Sequence, residues 1–140
     1  MIGLPIAIRF SPYISFPGNA REAMTYYQDM FGGELNFDSY DGMEDMLPFT
    51  PPKDAVAHAE LVADGVIING GDAMGETLPP LKSDVYSFLL SFDSVEEATA
   101  VWEKFVQSGA AVAMPFEMAP WGQPYGQIKD RFDVLWAFSA

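Results

Sequence analysis

Residues 17–35 read PGNAREAMTYYQDMFGGEL, and the fold follows from how this stretch is built and where its pattern recurs. Asn19 with Glu22 three residues later has the form of an N-cap and capping box. Ala20, Ala23, Met24, Tyr27 and Phe31 then fall on one helical face. Gly32 and Gly33 supply a left-handed stop. Ahead of the helix, IAIRFSPYISF alternates as a strand does. The unit is strand, helix, stop.

Residues 85–112 follow the same grammar. VYSFLLSF reads as a strand, and Ser94 with Glu97 is a second capping box. Val95, Ala98, Val101, Trp102 and Phe105 form an apolar stripe that Gly109 closes. A shift of roughly 75 residues lays strand on strand and cap on cap, with Ala23 on Ala98 and Tyr27 on Trp102. Three strands follow each helix: ELNFDSY, AVAHAELVA and GVIING after the first, then AAVAMPFEM, YGQIKD and VLWAFS, the last pair joined by a tight DRFD turn. The expected fold is α+β. Two βαβββ modules form a curved mixed sheet around a cleft, with the helices outside. Residues 1–140 make a single domain, with module one over about 1–74, a Gly/Pro-rich linker over about 75–84, and module two over about 85–140. The loop DSYDGMEDMLPFTPP is the other long irregular piece.

Composition narrows the function. A chain of 140 residues that is 49% hydrophobic has material for one core. Seven basic residues against twenty acidic ones give a net charge of −13, which argues against a nucleic-acid partner and against a membrane surface. No apolar run reaches the ~20 residues of a membrane-spanning helix, and MIGLPIAIRF lacks the parts of a signal peptide, so a cytoplasmic location is expected. Cysteine is absent, which removes disulfides, thiolate metal sites and cysteine nucleophiles. There is no GxGxxG, GK[ST] or GxSxG pattern, so no nucleotide cofactor or serine-hydrolase site is indicated.

Two constellations carry possible chemistry. In VAHAEL the only histidine, His58, stands two residues before Glu60. On a strand Val56, His58, Glu60 and Val62 share one face, with the two functional side chains about 7 Å apart at Cα. That spacing suits one shared ion, or a carboxylate orienting an imidazole. No second histidine exists, so any metal site would rest on His58, Glu60 and further carboxylates or amides. His58 is open to three readings: a cleft-lining acid–base group, a metal ligand, or a structural residue. In WGQPYGQIKDRFDVLW, an extended backbone would put Trp121, Gln123 and Tyr125 on one face, an arrangement that packs and orients a small molecule. The same aromatics could equally cap the fold. Gly126 suits a close backbone approach. Asp130 and Asp133 read as turn residues, and Trp136 as core. Asp38, Asp41, Glu44 and Asp45 lack the spacing of a calcium loop and read as a solvated acidic loop. Met43, Met46, Met74 and Met118 could line an adaptable apolar pocket.

The stretches SPYISFPGNAREAMTYYQDMFGGEL, AVAHAELVADGVIINGGDAM and WGQPYGQIKDRFDVLW, in this order, resemble the vicinal oxygen chelate superfamily of glyoxalases, bleomycin-resistance proteins and dioxygenases, and within it the PhnB-like branch. The branch typically shows a histidine at the position of His58. Its members often have another where this chain has Gln123. The resemblance implies metal-assisted chemistry, with ligands drawn from the first and last strands of each module. Those positions fall at Pro12 or Tyr13, at Glu60 or His58, at Ser87 and at Ala137. That set does not make the family's metal site. An older family label, DNA-binding ubiquinone methyltransferase, fits neither the charge nor the lack of a nucleotide loop.

Three functions remain open. One is a small-molecule-binding protein without the usual metal, its catalytic or polar centre at His58 and Glu60 and its ligand lined by Tyr13, Tyr86, Ser87, Trp121, Gln123 and Tyr125. The second is a lyase, isomerase or dioxygenase-type enzyme centred on His58 and Glu60, with a divalent metal as possible cofactor or with His58 as base and Glu60 as its orienter. The third is an interaction module with a vestigial cleft. A homodimer is expected, since superfamily members commonly pair. A strongly anionic ligand is disfavoured, Lys129 and Arg131 being the nearest cations.

Overall fold

A computed structural model describes residues 8–42, 44–48, 50–74, 78 and 80–140. Its contacts fall into two compact units, Met1–Leu78 and Pro79–Ala140. The first contains β1 (Tyr13–Phe16), α1 (Ala20–Phe31), β2 (Glu34–Ser39), a short 3-10 turn (Glu44–Met46), β3 (Val56–Ala63) and β4 (Val66–Asp72). The second contains β5 (Phe88–Ser91), α2 (Val95–Gln107), β6 (Ala111–Met118), β7 (Pro124–Lys129) and β8 (Leu135–Ser139). Each unit is a βαβββ module. The sheets run β1-β4-β3-β2 and β5-β8-β7-β6, mixed in both cases, because the first strand lies parallel to the last.

The first sheet is two-faced. Ile14, Phe16, Ala59, Leu61 and Ile68 are buried, and α1 lies on this side, chiefly against β3. Ala20, Ala23, Met24 and Tyr27 come inward as their spacing requires. Tyr26 and Met30 are also buried, so the apolar stripe is wider than the sequence suggests. The opposite face carries Tyr13, Asn36, Asp38, His58, Glu60 and Asn69. Val56 is the exception to the alternation. The β2–β3 register shifts between Asp38 and Ser39, so Asp38 pairs with His58 but Ser39 pairs with Val56. This bulge passes over Ala57 and turns Val56 to the buried side.

The start of α1 departs from expectation. Asn19 is the N-cap residue but makes no capping hydrogen bond, and its buried Oδ1 has no partner among the described atoms. The buried carboxylate of Asp72, at the end of β4, does the capping instead. Its Oδ1 accepts from the Ala20 backbone N–H at 2.8 Å and its Oδ2 from that of Val56 at 2.8 Å. In the second module the local signature holds, and Ser94 Oγ accepts from the Glu97 N–H at 3.2 Å.

Other boundaries differ modestly. β1 and β5 are shorter than IAIRFSPYISF and VYSFLLSF, and residues 8–12 and 85–87 precede them without strand pairing. Residues 75–77 of the expected linker lie outside the described residues, as does Met43. The DRFD turn forms as expected: Asp133 takes a positive φ of 68°, and Asp130 accepts from the N–H groups of Phe132 and Val134 and from Trp136 Nε1. Gly126 lies where a Cβ would come 2.7 Å from the Phe116 backbone, so β6 can sit close to it only over glycine. Among the described residues no helix is long and apolar enough to cross a membrane.

Replacing Asp72 by alanine leaves two buried backbone donors unpaired. We expect a loss of about 2–4 kcal/mol of stability in urea unfolding, against less than about 0.5 kcal/mol for Asn19→Ala, which removes no capping bond. Equal losses in the two variants would refute the assignment.

Candidate functional site

The polar face of the first sheet is organised around His58. Four residues stand side by side across the strands: Tyr13 opposite Asn69, Asn69 opposite Glu60, and Glu60 opposite Asn36. His58 belongs to the next row, opposite Asp38. Its Nε2 meets Asn69 Oδ1 at 2.9 Å, and Asn69 Nδ2 donates to Ser11 Oγ at 2.8 Å. Its Nδ1 lies 3.6 Å from Asp38 Oδ2, an ion-pair distance when the ring is protonated. The Tyr13 ring lies nearly parallel to the imidazole, 6° between planes and 5.9 Å between centroids.

Asn69 fixes how this ring is presented. Its amide nitrogen is directed at Ser11, so its oxygen faces the imidazole and Nε2 carries the hydrogen. The carboxylate beside the ring belongs to Asp38 across the strand pair; among the described residues no contact of this kind joins Glu60 to the ring. Gly71 makes room for Tyr13, because a Cβ there would stand 2.9 Å from the Tyr13 hydroxyl and 2.8 Å from the Ala57 carbonyl oxygen. Nearby, the Tyr40 phenol is pushed above its ordinary range by burial first, then by the proximity of Tyr13 and Asp72. Asn69 and Ser11 carry no mark in the sequence, and Asp38, which reads there as part of a solvated acidic loop, lies on β2 opposite His58. An asparagine in GVIING carries no mark of its role until the register places it beside His58.

A cavity of about 670 Å³ also lies in this unit, walled by the 48–55 loop and the end of β4. Lys53, Asp72, Met74 and Leu78 line it, and His58, Glu60 and Tyr13 do not. Of the methionines proposed for a pocket, Met74 reaches this one, while Met46 and Met118 are exposed.

In the second module the expected row is only partly assembled. Trp121 and Gln123 lie in the turn between β6 and β7, closed by the Ala119 N–H donating to the Gln123 carbonyl at 2.9 Å. Tyr125 is on β7. Trp121 packs edge-on against it at 5.3 Å. The amide that meets the Tyr125 hydroxyl is that of Gln127, at 2.8 Å, because residues two apart on a strand share a face. Tyr86 and Ser87 precede β5 and are exposed. Lys129 is held by Asp84 at 2.9 Å, and this hydrogen bond holds the Asp84 carboxyl below its usual range. Arg131 lies over the Phe132 ring.

The backbone also places the ligand positions that the resemblance implied, on the first and last strands of each module. Ile14 and Phe16 point inward on β1, as Phe88 and Leu90 do on β5, so Tyr13 corresponds to Leu89. Their parallel partners on the last strands are Asn69 and Ala137. Pro12 and Ser87 lie outside the strands, and His58 and Glu60 belong to β3, the third strand of its module, rather than the last. The four positions are thus tyrosine, asparagine, leucine and alanine. The next row holds Ser15 with Gly71 and Ser91 with Ser139. Within the first module Tyr13 and Asn69 offer only a phenol and an amide, and within the second Leu89 and Ala137 offer no donor. Among the described residues no three His, Asp or Glu side chains gather closely enough to hold an ion.

His58 is partly exposed, 42% for its side chain, and makes one short hydrogen bond. We expect His58→Ala to cost less than about 1 kcal/mol in urea unfolding. A loss above about 2 kcal/mol would make His58 a structural residue.

The comparisons with known proteins agree with this architecture. Residues 9–138 match the model of the Glyoxalase/Bleomycin resistance protein/Dioxygenase superfamily. Protein YjdN of Escherichia coli (strain K12) is 31% identical over 140 residues, covering 90% of each chain. The crystal structure of protein PA1353 from Pseudomonas aeruginosa is similar with a TM-score of 0.76 and 29% identity, covering 95% of this chain and 97% of that one. The PhnB protein from Bacillus cereus shares the fold at a TM-score of 0.68 and 23% identity, covering 94% and 98%. With its two βαβββ modules and a family match over nearly its whole length, the chain belongs to the Glyoxalase/Bleomycin resistance protein/Dioxygenase superfamily.

Proposed function

We propose that this protein binds a small molecule on the polar face of its first sheet, at His58, Glu60, Asn69 and Tyr13, without the superfamily's metal. One observation carries the reading. The positions that would supply metal ligands hold Tyr13, Asn69, Leu89 and Ala137, while the polar groups are instead linked in a hydrogen-bonded chain, Ser11–Asn69–His58, with Asp38 alongside. A ring oriented on one nitrogen by an amide and backed by a carboxylate on the other is built to exchange hydrogen bonds with a ligand. Trp121, Gln123, Tyr125, Tyr86 and Ser87 are secondary candidates for the ligand surface of module two.

The same geometry favours a second reading, a metal-free enzyme in which His58 is the general base. Asp38 would then stabilise the protonated ring. Turnover dependent on both residues would distinguish it from binding alone.

Elemental analysis of untagged protein, followed by melting with zinc, nickel, manganese and iron(II), tests the metal-free reading. We expect substoichiometric metal and no melting shift that depends on His58, because a metal bound to the folded state would raise the midpoint by mass action. Near-stoichiometric metal, with a shift abolished by His58→Ala, would overturn it.

The chain is also proposed to act as a homodimer. The second module presents β6 as an edge strand, with Val112 48% and Met118 66% exposed, an apolar surface that a partner would cover. Sedimentation across the micromolar range should give the dimer mass, and a monomer throughout would exclude it.

A further inference from the structure

The ligand class can be narrowed by asking what the His58–Asp38 pair accepts, which rests on the polar face being the binding site. Nε2 is committed to Asn69 Oδ1, and the Asn69 amide nitrogen to Ser11. A neutral ring therefore presents its Nδ1 lone pair, an acceptor, toward the carboxylate of Asp38. The two acceptors are 3.6 Å apart, too far to bond each other directly. One atom can stand at ordinary hydrogen-bond distance, about 2.8 Å, from both. That atom must bring two hydrogens. Water does, and so does an ammonium or primary amine nitrogen, which alone of the two can carry a body along the face. An alcohol oxygen brings one, and an ionised carboxylate or phosphonate brings none.

The surroundings point the same way. The paired residues of this face include Glu34, Asp38 and Glu60, and none is Lys or Arg. Arg21 lies over the Phe37 ring, 4.5 Å from its centroid, and Phe37 points to the opposite side of the strand from Asp38. An anion would meet these carboxylates with no paired lysine or arginine beside it, whereas a cation would be attracted. Tyr13 adds an aromatic surface, 56% exposed and nearly parallel to the imidazole, on which an apolar or aromatic body can pack.

We propose that the polar face recognises a primary amine or ammonium group joined to an apolar or aromatic body, its nitrogen bridging His58 Nδ1 and Asp38 Oδ2 while the body lies along Tyr13. Asn69 is the positioning residue, since it holds the ring in the tautomer that leaves Nδ1 free to accept.

The test uses the whole chain labelled with nitrogen-15 at histidine. His58 is the only histidine, so its ring gives a single pair of nitrogen signals. Benzylamine, benzyl alcohol and phenylphosphonate are titrated separately. Benzylamine should move the Nδ1 signal more than the Nε2 signal and bind at least about ten-fold more tightly than the other two. That advantage should vanish in Asp38→Asn, a change at an exposed side chain that leaves the fold intact. Phenylphosphonate binding as tightly as benzylamine, or an amine preference that survives Asp38→Asn, would overturn the proposal. If none of the three moves the ring while other compounds of a fragment screen do, the amine class falls and the binding face stands. If no compound of either set moves the His58 ring signals, both fall.

Discussion

The first module depends on one buried carboxylate. Asp72 ends β4, yet it binds the first N–H of α1 and the first N–H of β3. A single side chain thus ties the last strand, the covering helix and the neighbouring strand at one corner. Both acceptor oxygens are used, and both donors belong to backbone that would otherwise be unsatisfied in the interior. The polar face inherits this constraint. Asn69 lies three residues before Asp72 on β4 and His58 two residues after Val56 on β3, so the corner sets the register that brings the amide to the imidazole.

The two modules share an architecture and divide its uses. The second caps its helix locally with Ser94, and its buried carboxylate, Asp130, is spent on a turn and on the Trp136 indole. Its outward pair across the first and last strands is Leu89 with Ala137, where the first module has Tyr13 with Asn69. Repetition of the backbone has left the polar chemistry of the outward faces unequal: a hydrogen-bonded relay on one, and mainly Tyr125, Gln127 and Lys129 on the other.

The order of elements was readable because it rests on local signals. Helical spacing, glycine stops and alternating strands each act within a dozen residues, and the repeat at about 75 residues supplied the topology. What could not be read were contacts that depend on long-range register. The cap of α1 was ascribed to Asn19 because capping boxes are local, whereas the actual acceptor is 52 residues away. Val56 was placed beside His58 by strict alternation, which a bulge breaks. Gln123 was grouped with Tyr125 by the same rule, but the hairpin turn claims it and Gln127 takes its place. For Val56 and Gln123 the period of two fails at a bend that the sequence does not announce.

These register effects bear directly on the superfamily's chemistry. A fold retained over nearly its full length does not carry its ligands along, because each ligand position is one side chain on a shared backbone. Asn69 illustrates the point. It stands on the last strand of its module, and its amide is taken up by an imidazole and a hydroxyl. An amide serves there as both donor and acceptor, which a carboxylate could not do while ionised. The amide thus orients a neighbour, the imidazole of His58 on the third strand.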